Sequence, residues 1–336
     1  MASVKKRALT LTIIFKGLSP NYGESVGNVS ELKKLTHGGE LYSYLSRQAL
    51  RYELWKFLKE AYQIDTKAYW EERPEIKREV EELLGQELPP SDILTKEQKV
   101  IQFHPSVNAL NCVEADLFGY MKTKKGEGTR TRSAVIRFSP AVALEPLAID
   151  LEFGINKSFA DRIGEDPDPF QLEHQYALYT YTITVNLDRL GIEFDGKGEP
   201  TGKLPKEERV NRLKMVIEAI PFLSREIKGR IENLSPLFAI GGFYPVKNPF
   251  FLGRVEVGYD KASKKFAINP KPLTDILSLS FKDNRVAEDT KVGLLSGLWA
   301  NEEEIEEAFG QEQVPVLSVS DLFSRLLEEA ESVFEE

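Results

Sequence analysis

The chain has 336 residues, 44 Lys and Arg against 53 Asp and Glu, and a formal net charge of -9. Its length admits one large elaborated domain or two. At 41% hydrophobic and 29% charged it can form an ample core, and no run approaches the ~18 apolar residues of a membrane helix. The single cysteine, Cys112, excludes an internal disulfide and fits a reducing, cytoplasmic setting. The acidity is uneven. Residues 301–336 hold 12 acidic side chains and one basic one, Arg325, a net of -11; the rest hold 43 basic and 41 acidic, a net of +2. Global charge therefore does not exclude a nucleic-acid surface.

In chain order, residues 4–16 read as a half-buried strand, since Leu9, Leu11, Ile13 and Phe15 alternate with polar positions. Thr10, Thr12 and Lys16 interrupt the apolar run, against a signal peptide. Residues 17–39 read as a long polar, glycine-rich loop. Residues 40–63 read as an amphipathic helix with Leu41, Leu45, Tyr52 and Trp55 on its core stripe. Residues 66–112 form an inserted helical segment with a Pro89-Pro90 break. Residues 113–123 and 130–138 read as a hairpin around KKGEG. An excursion follows to 175, with a strongly β-branched strand at 176–187. A loop lies near 195–203, and 205–229 reads as a helix kinked near Pro221. A Gly241-Gly242 turn leads into another strand, and an acidic helix capped by Ser320 closes the chain at 318–335. No internal repeat is visible. This order predicts an α+β fold with antiparallel pairing, a ferredoxin-like or RNA-recognition-type sandwich with large insertions.

The chemistry-bearing residues cluster early. Lys33-Lys34 and Gly38-Gly39 precede a helix carrying Ser46-Arg47-Gln48 and Arg51. Arg47 and Arg51 share a helix face one turn apart, with Gln48 beside them. Loop cations and helix donors of this kind can hold phosphates, the alternative being a solvated surface with Arg51 paired to Glu53 or a neighbouring acid. In the hairpin, Lys122, Lys124, Lys125, Arg130, Arg132 and Arg137 face one acid, Glu127, giving +5 within residues 120–137. That is either a basic finger on phosphates or a solvated tip, and alternation puts Arg130 and Arg132 on one face. The 150–175 excursion carries Lys157, Phe159, Arg162 and Phe170. An aromatic there is able to wedge between bases, although a plain surface loop is the alternative. Lys247 and Asn28 complete the candidate set.

Catalytic and metal-binding patterns are weak. The histidines are His37, His104 and His174, without HxxxH or HxH spacing. Asp161, Glu165, Asp166 and Asp168 lack the EF-hand glycine and terminal glutamate. Phosphate-loop and nucleophile-elbow motifs are missing. Cys112 reads as a packed thiol. No cofactor or metal is expected. An RNA-processing nuclease using Glu24 or His37, and a protein-interaction module without nucleic acid, remain the competing readings.

Gly38-Gly39 followed by Ser46-Arg47-Gln48-Ala49-Leu50-Arg51 resembles the GG…S-x-Q-x-L-[KR] region of CRISPR-associated backbone proteins of the RAMP superfamily. The loop from Asn21-Tyr22-Gly23-Glu24 to Lys33-Lys34 resembles more narrowly the DevR-type backbone subunit of type I-B Cascade. The resemblance implies one RNA-recognition-like palm over residues 1–336, with a helical insertion at 66–112, a thumb-like insertion at 140–175 and an acidic C-terminal segment at 301–336. It implies several copies lined along one CRISPR guide RNA beside other Cascade subunits, with target DNA recognised through the guide and no membrane. Lys33, Lys34, Ser46, Arg47, Gln48 and Arg51 would contact guide phosphates. Cleaving relatives in type III complexes carry an aspartate in the loop before this helix; here that loop has Glu24, which implies a non-catalytic subunit.

Overall fold

The structure is a computed structural model describing residues 4–97, 99–124 and 128–334, without the side chains of 24–26, 97 and 124. Residues 125–127, which hold Lys125 and Glu127 of the expected hairpin turn, lie outside the described residues, as do the side chains of Glu24 and Lys124.

A nine-stranded sheet organises the chain. Its strands are β1 (Ala8–Leu18), β2 (Lys34–His37), β3 (Glu40–Leu45), β4 (Ile136–Phe138), β5 (Ala141–Ala143), β6 (Tyr176–Asn186), β7 (Phe238–Tyr244), β8 (Lys291–Leu294) and β9 (Val316–Ser318). The order is β9-β8-β7-β1-β6-β5-β3-β2, with β4 also on β6. β1 lies antiparallel between β6 and β7, with Ile13 opposite Tyr181 and Ala239. Two helices, α1 (Arg47–Tyr62) and α2 (Lys206–Ala219), share one face of the sheet. There Leu50, Leu54 and Leu58 of α1 and Leu213, Val216 and Ile217 of α2 meet Leu9, Leu11, Ile13 and Phe15. The fold is therefore mixed α and β around one large sheet, in the expected class.

β1 departs from a half-buried strand. Its even positions are covered too: Thr12 and Thr182 are buried and joined by their hydroxyls at 2.8 Å, and Ile14 packs with Phe238, Ile240 and Phe251. The residues that cover this second face lie far down the chain, between 250 and 314, out of reach of a local pattern.

Several expected elements are corrected. The 17–39 loop is mostly strand. Tyr22–Val26 and Val29–Leu32 pair with each other. Val29–Leu32 also runs parallel to Pro169–His174, which pairs with Asp150–Ile155. The early loop and the later excursion are thus one four-stranded sheet. Gly38 and Gly39, at φ +59° and +89°, form the tight turn between β2 and β3, where two left-handed residues are needed. The helix begins at Arg47 because Glu40–Leu45 is a strand, and it buries Ala49, Leu50, Leu54 and Leu58 rather than the expected stripe. Tyr52 and Leu41 are exposed.

The expected strand 113–123 opens as a helix, Val113–Phe118, turning at Gly119 into Tyr120–Lys124. The helix of 205–229 stops at Ala219, and a hairpin, Ser224–Ile227 with Arg230–Asn233, follows. Gly241 and Gly242 sit inside β7 and make no turn. A Cβ there would lie 1.9 Å from the Thr10 carbonyl oxygen or 1.8 Å from that of Asp289, so neighbouring backbone leaves room only for glycine. The closing helix, α3 (Val319–Glu329), is capped by Ser318, whose Oγ accepts the Asp321 N–H, and it buries Leu322 and Leu326 in the main core.

Candidate nucleic-acid interface

α1 starts where it does because Ser46 takes an extended conformation and its Oγ accepts the Ala49 N–H at 3.3 Å. Ser46 is thereby committed to capping. The next residues, Arg47 and Gln48, are exposed, and Arg51 follows one turn on. All three line a groove of about 430 Å³ that runs to Phe118, Ala134, Ile136, Arg137 and Phe138. The Arg51 guanidinium donates to the Phe118 carbonyl at 3.1 Å and lies 5.2 Å above the Phe118 ring. Partial burial lowers its pKa, and the nearby Glu114 carboxylate counteracts this.

Arg137 is exposed on β4 and faces this groove. Sequence reading counts it in the basic hairpin, as part of a finger on phosphates or a solvated tip, and does not bring it to the start of α1. Arg189 is a neighbour: burial first, then Arg132 and Arg137, lower its pKa, and its guanidinium stacks 4.4 Å from the Phe194 ring. The groove thus concentrates positive charge that low-dielectric walls focus outward.

Lys33 does not line this groove. Tyr44 N–H donates to the Lys33 carbonyl at 2.9 Å, three residues before Arg47. Among the described residues no ion pair engages the Lys33 ammonium. Lys34 is different: its Nζ lies 2.8 Å from Glu173 and 3.6 Å from Glu31. Glu173 also accepts the Leu32 N–H at 2.9 Å, so this pair locks the two sheets' connection. Asn28 is exposed in the turn before Val29, and its carbonyl accepts the Gln171 N–H.

The hairpin corrects two candidates. Lys122 and Arg132 are 6% and 5% exposed. Lys122 donates to the carbonyls of Pro105 and Val107, and burial pulls its pKa down to about 8. Arg132 pairs with Asp116 and donates to the carbonyls of Ile192 and Arg189. Asp116 in turn pairs with the fully buried Arg212, which pairs with Glu208. Alternation was sound, but the shared face of Arg130, Arg132 and Lys122 turns inward against Glu193. Only Arg130, 3.6 Å from Glu193, remains largely exposed. Lys247 is held by Asp188 at 2.7 Å. Lys157 and Arg162 sit on a short exposed helix, Lys157–Ile163, at the end of the 150–174 hairpin, with Arg162 over Phe159.

Among the described residues no cluster of three or more His, Cys, Asp or Glu side chains is arranged to hold a metal ion, and no helix is long and apolar enough to cross a membrane. Burial pushes the Cys112 thiol well above its ordinary range, and its sulfur caps Val113–Phe118.

Solved structures define the class of fold. A chain of a "CRISPR RNA-guided surveillance complex, pre-nicking" superposes with a TM-score of 0.54 at 11% identity, covering 96% of this chain and 100% of that one. A chain of a "CRISPR RNA-guided surveillance complex" gives 0.51 at 13% identity, over 96% and 99%. This chain shares the fold of those two chains. The family is more specific: residues 9–261 match the model described as CRISPR-associated negative auto-regulator DevR/Csa2, and the chain belongs to that family. No curated protein sequence matches it significantly.

Proposed function

We propose that this chain is a non-catalytic backbone subunit that binds CRISPR guide RNA, lines up in several copies along it with other Cascade subunits, and supports recognition of target DNA through the guide. The carrying observation is the convergence of Arg47, Gln48, Arg51 and Arg137 on one groove. These groups grip phosphate without reading sequence, as a guide that differs from spacer to spacer requires. Guanidinium and amide groups as a class make poor general bases. The elements β1, α1, β4, β6, α2 and β7 form the RNA-recognition-like palm of this reading. Residues 66–112 and 140–175 are its insertions. Asn28, Lys33 and Arg130 extend the phosphate path, and Lys157 and Arg162 supply thumb contacts near the guide–target duplex. A filament in the cytoplasm sums such modest contacts over many copies.

The test is co-expression with a CRISPR array, followed by mass and nucleic-acid content of the purified protein. A large assembly holding protected RNA of regular length is expected. Changing Lys33, Arg47, Arg51 and Arg137 together to Ala should abolish it with the fold intact. An RNA-free monomer from the unaltered chain would overturn the reading, and cleavage of bound RNA would overturn its non-catalytic part.

A further inference from the structure

The basic groove has an aromatic annex that phosphate binding leaves unused. Gln48, Arg51 and Phe118 form a wall shared with a second cavity of about 350 Å³, completed by Tyr52, Trp55 and Glu114. A carboxylate repels phosphate, so the annex suits a different chemical group from the groove. Its size is at the lower end of small-molecule pockets. The Tyr52 and Trp55 rings lie 5.6 Å apart, and Lys59 covers Trp55 at 5.0 Å. Tyr52 is 55% exposed, unusual for a ring beside a packed helix face. Across the cavity the Arg51 guanidinium lies over Phe118. Aromatic faces and guanidinium planes are the surfaces on which unpaired bases stack. The Gln48 amide carries donors and an acceptor, so it can meet the edge of any base.

We propose that this cavity holds one unstacked nucleobase of the bound strand against Tyr52 and Trp55, while the adjoining phosphate lies in the arginine groove. The proposal rests on the RNA-binding reading and adds to it a base subsite that tolerates any sequence.

Trp55 makes the test direct. Trp70 and Trp299 are 0% and 3% exposed, so Trp55 is the tryptophan that solutes can reach. The purified full chain is titrated with a short single-stranded RNA and with an abasic ribose-phosphate strand of equal length. Affinity and tryptophan quenching are both read. The base-bearing strand should bind roughly 5- to 100-fold more tightly and quench Trp55. Tyr52→Ala should remove most of that preference and leave abasic binding unchanged, and Tyr52→Phe should restore it. Equal binding of the two strands without quenching overturns the base subsite while the phosphate groove stands. A base preference that survives Tyr52→Ala also overturns it. If neither strand binds, the RNA-binding reading itself fails, and the subsite with it.

Discussion

At the scale of single residues, the fate of each cation depends on what it faces. Arg132 and Arg47 are indistinguishable in composition, yet one is locked to Asp116 and the other is exposed. Arg132→Met should cost about 3 kcal/mol, because it leaves buried Asp116 and Glu193 with less compensation. Urea unfolding measures it; a loss below experimental error would refute a structural role. Arg47→Ala with Arg51→Ala should lower the midpoint only modestly, through the lost Arg51–Phe118 contacts. It should reduce the slope of log affinity against log salt for single-stranded RNA by about 1.4, the value for two lost phosphate contacts. An unaltered slope would remove both from the path.

A third residue-scale effect concerns Asp65. Its carboxylate accepts the Val113 and Glu114 N–H groups at 2.6 and 3.0 Å. Desolvation nevertheless dominates and raises its pKa from 3.8 to about 6. The folded state then holds this proton more tightly than the unfolded chain. The group's penalty is absent below about pH 4 and complete above about pH 6, so its contribution to stability falls as pH rises through that window. Asp65→Asn should flatten stability between pH 4 and 6. Identical profiles for the two proteins would show that Asp65 does not carry the effect.

At the scale of elements, local signals were legible where the cause was local. The β-branched run of β6, the Gly38-Gly39 turn residues and the helical periodicity after Ser46 all follow from neighbours within a few positions. Glu40–Leu45 reads from the sequence as the start of α1, but its pairing partners in β2 and β5 outweigh its weak helical stripe. Val113–Phe118 departs from the expected strand for a similar reason: its helix is capped by Cys112 and held from afar by Asp65. The glycines of β7 were read as a turn because the backbone that crowds them comes from residues 10 and 289. Gly242→Ala should cost about 3 kcal/mol, the upper range for overpacking against atoms that cannot move aside. A denaturation midpoint close to the parent's would contradict that crowding.

At the scale of the whole molecule, the acidic C-terminal segment changes character. In the sequence it resembles a charged tail that keeps the protein off stray nucleic acid. In the fold, β9 pairs with β8, α3 buries Leu322 and Leu326, and Glu329 and Glu331 pair with Lys291 and Lys214. Deleting residues 318–336 should therefore abolish cooperative unfolding, and so cannot test a charge effect. Changing Glu302, Glu303, Glu304, Glu306 and Glu307 to Gln keeps the chain and removes the charge. Non-specific RNA affinity should rise severalfold, as measured by filter binding; no change would exclude the screening role.

By itself the sequence determined the mixed α and β class, the first strand, the β-branched strand β6, and the resemblance that its family membership bears out. These depend on periodicity, turn chemistry and short spacings, which act between close neighbours. Tertiary structure alone decided which cations are exposed. It joined residues 22–32 to the 150–174 excursion, turned Lys122 and Arg132 inward, and brought Arg137 and Phe118 to the start of α1. Those outcomes depend on pairings between residues tens to hundreds of positions apart, and a linear pattern of charge holds no record of which side of a strand the core will occupy.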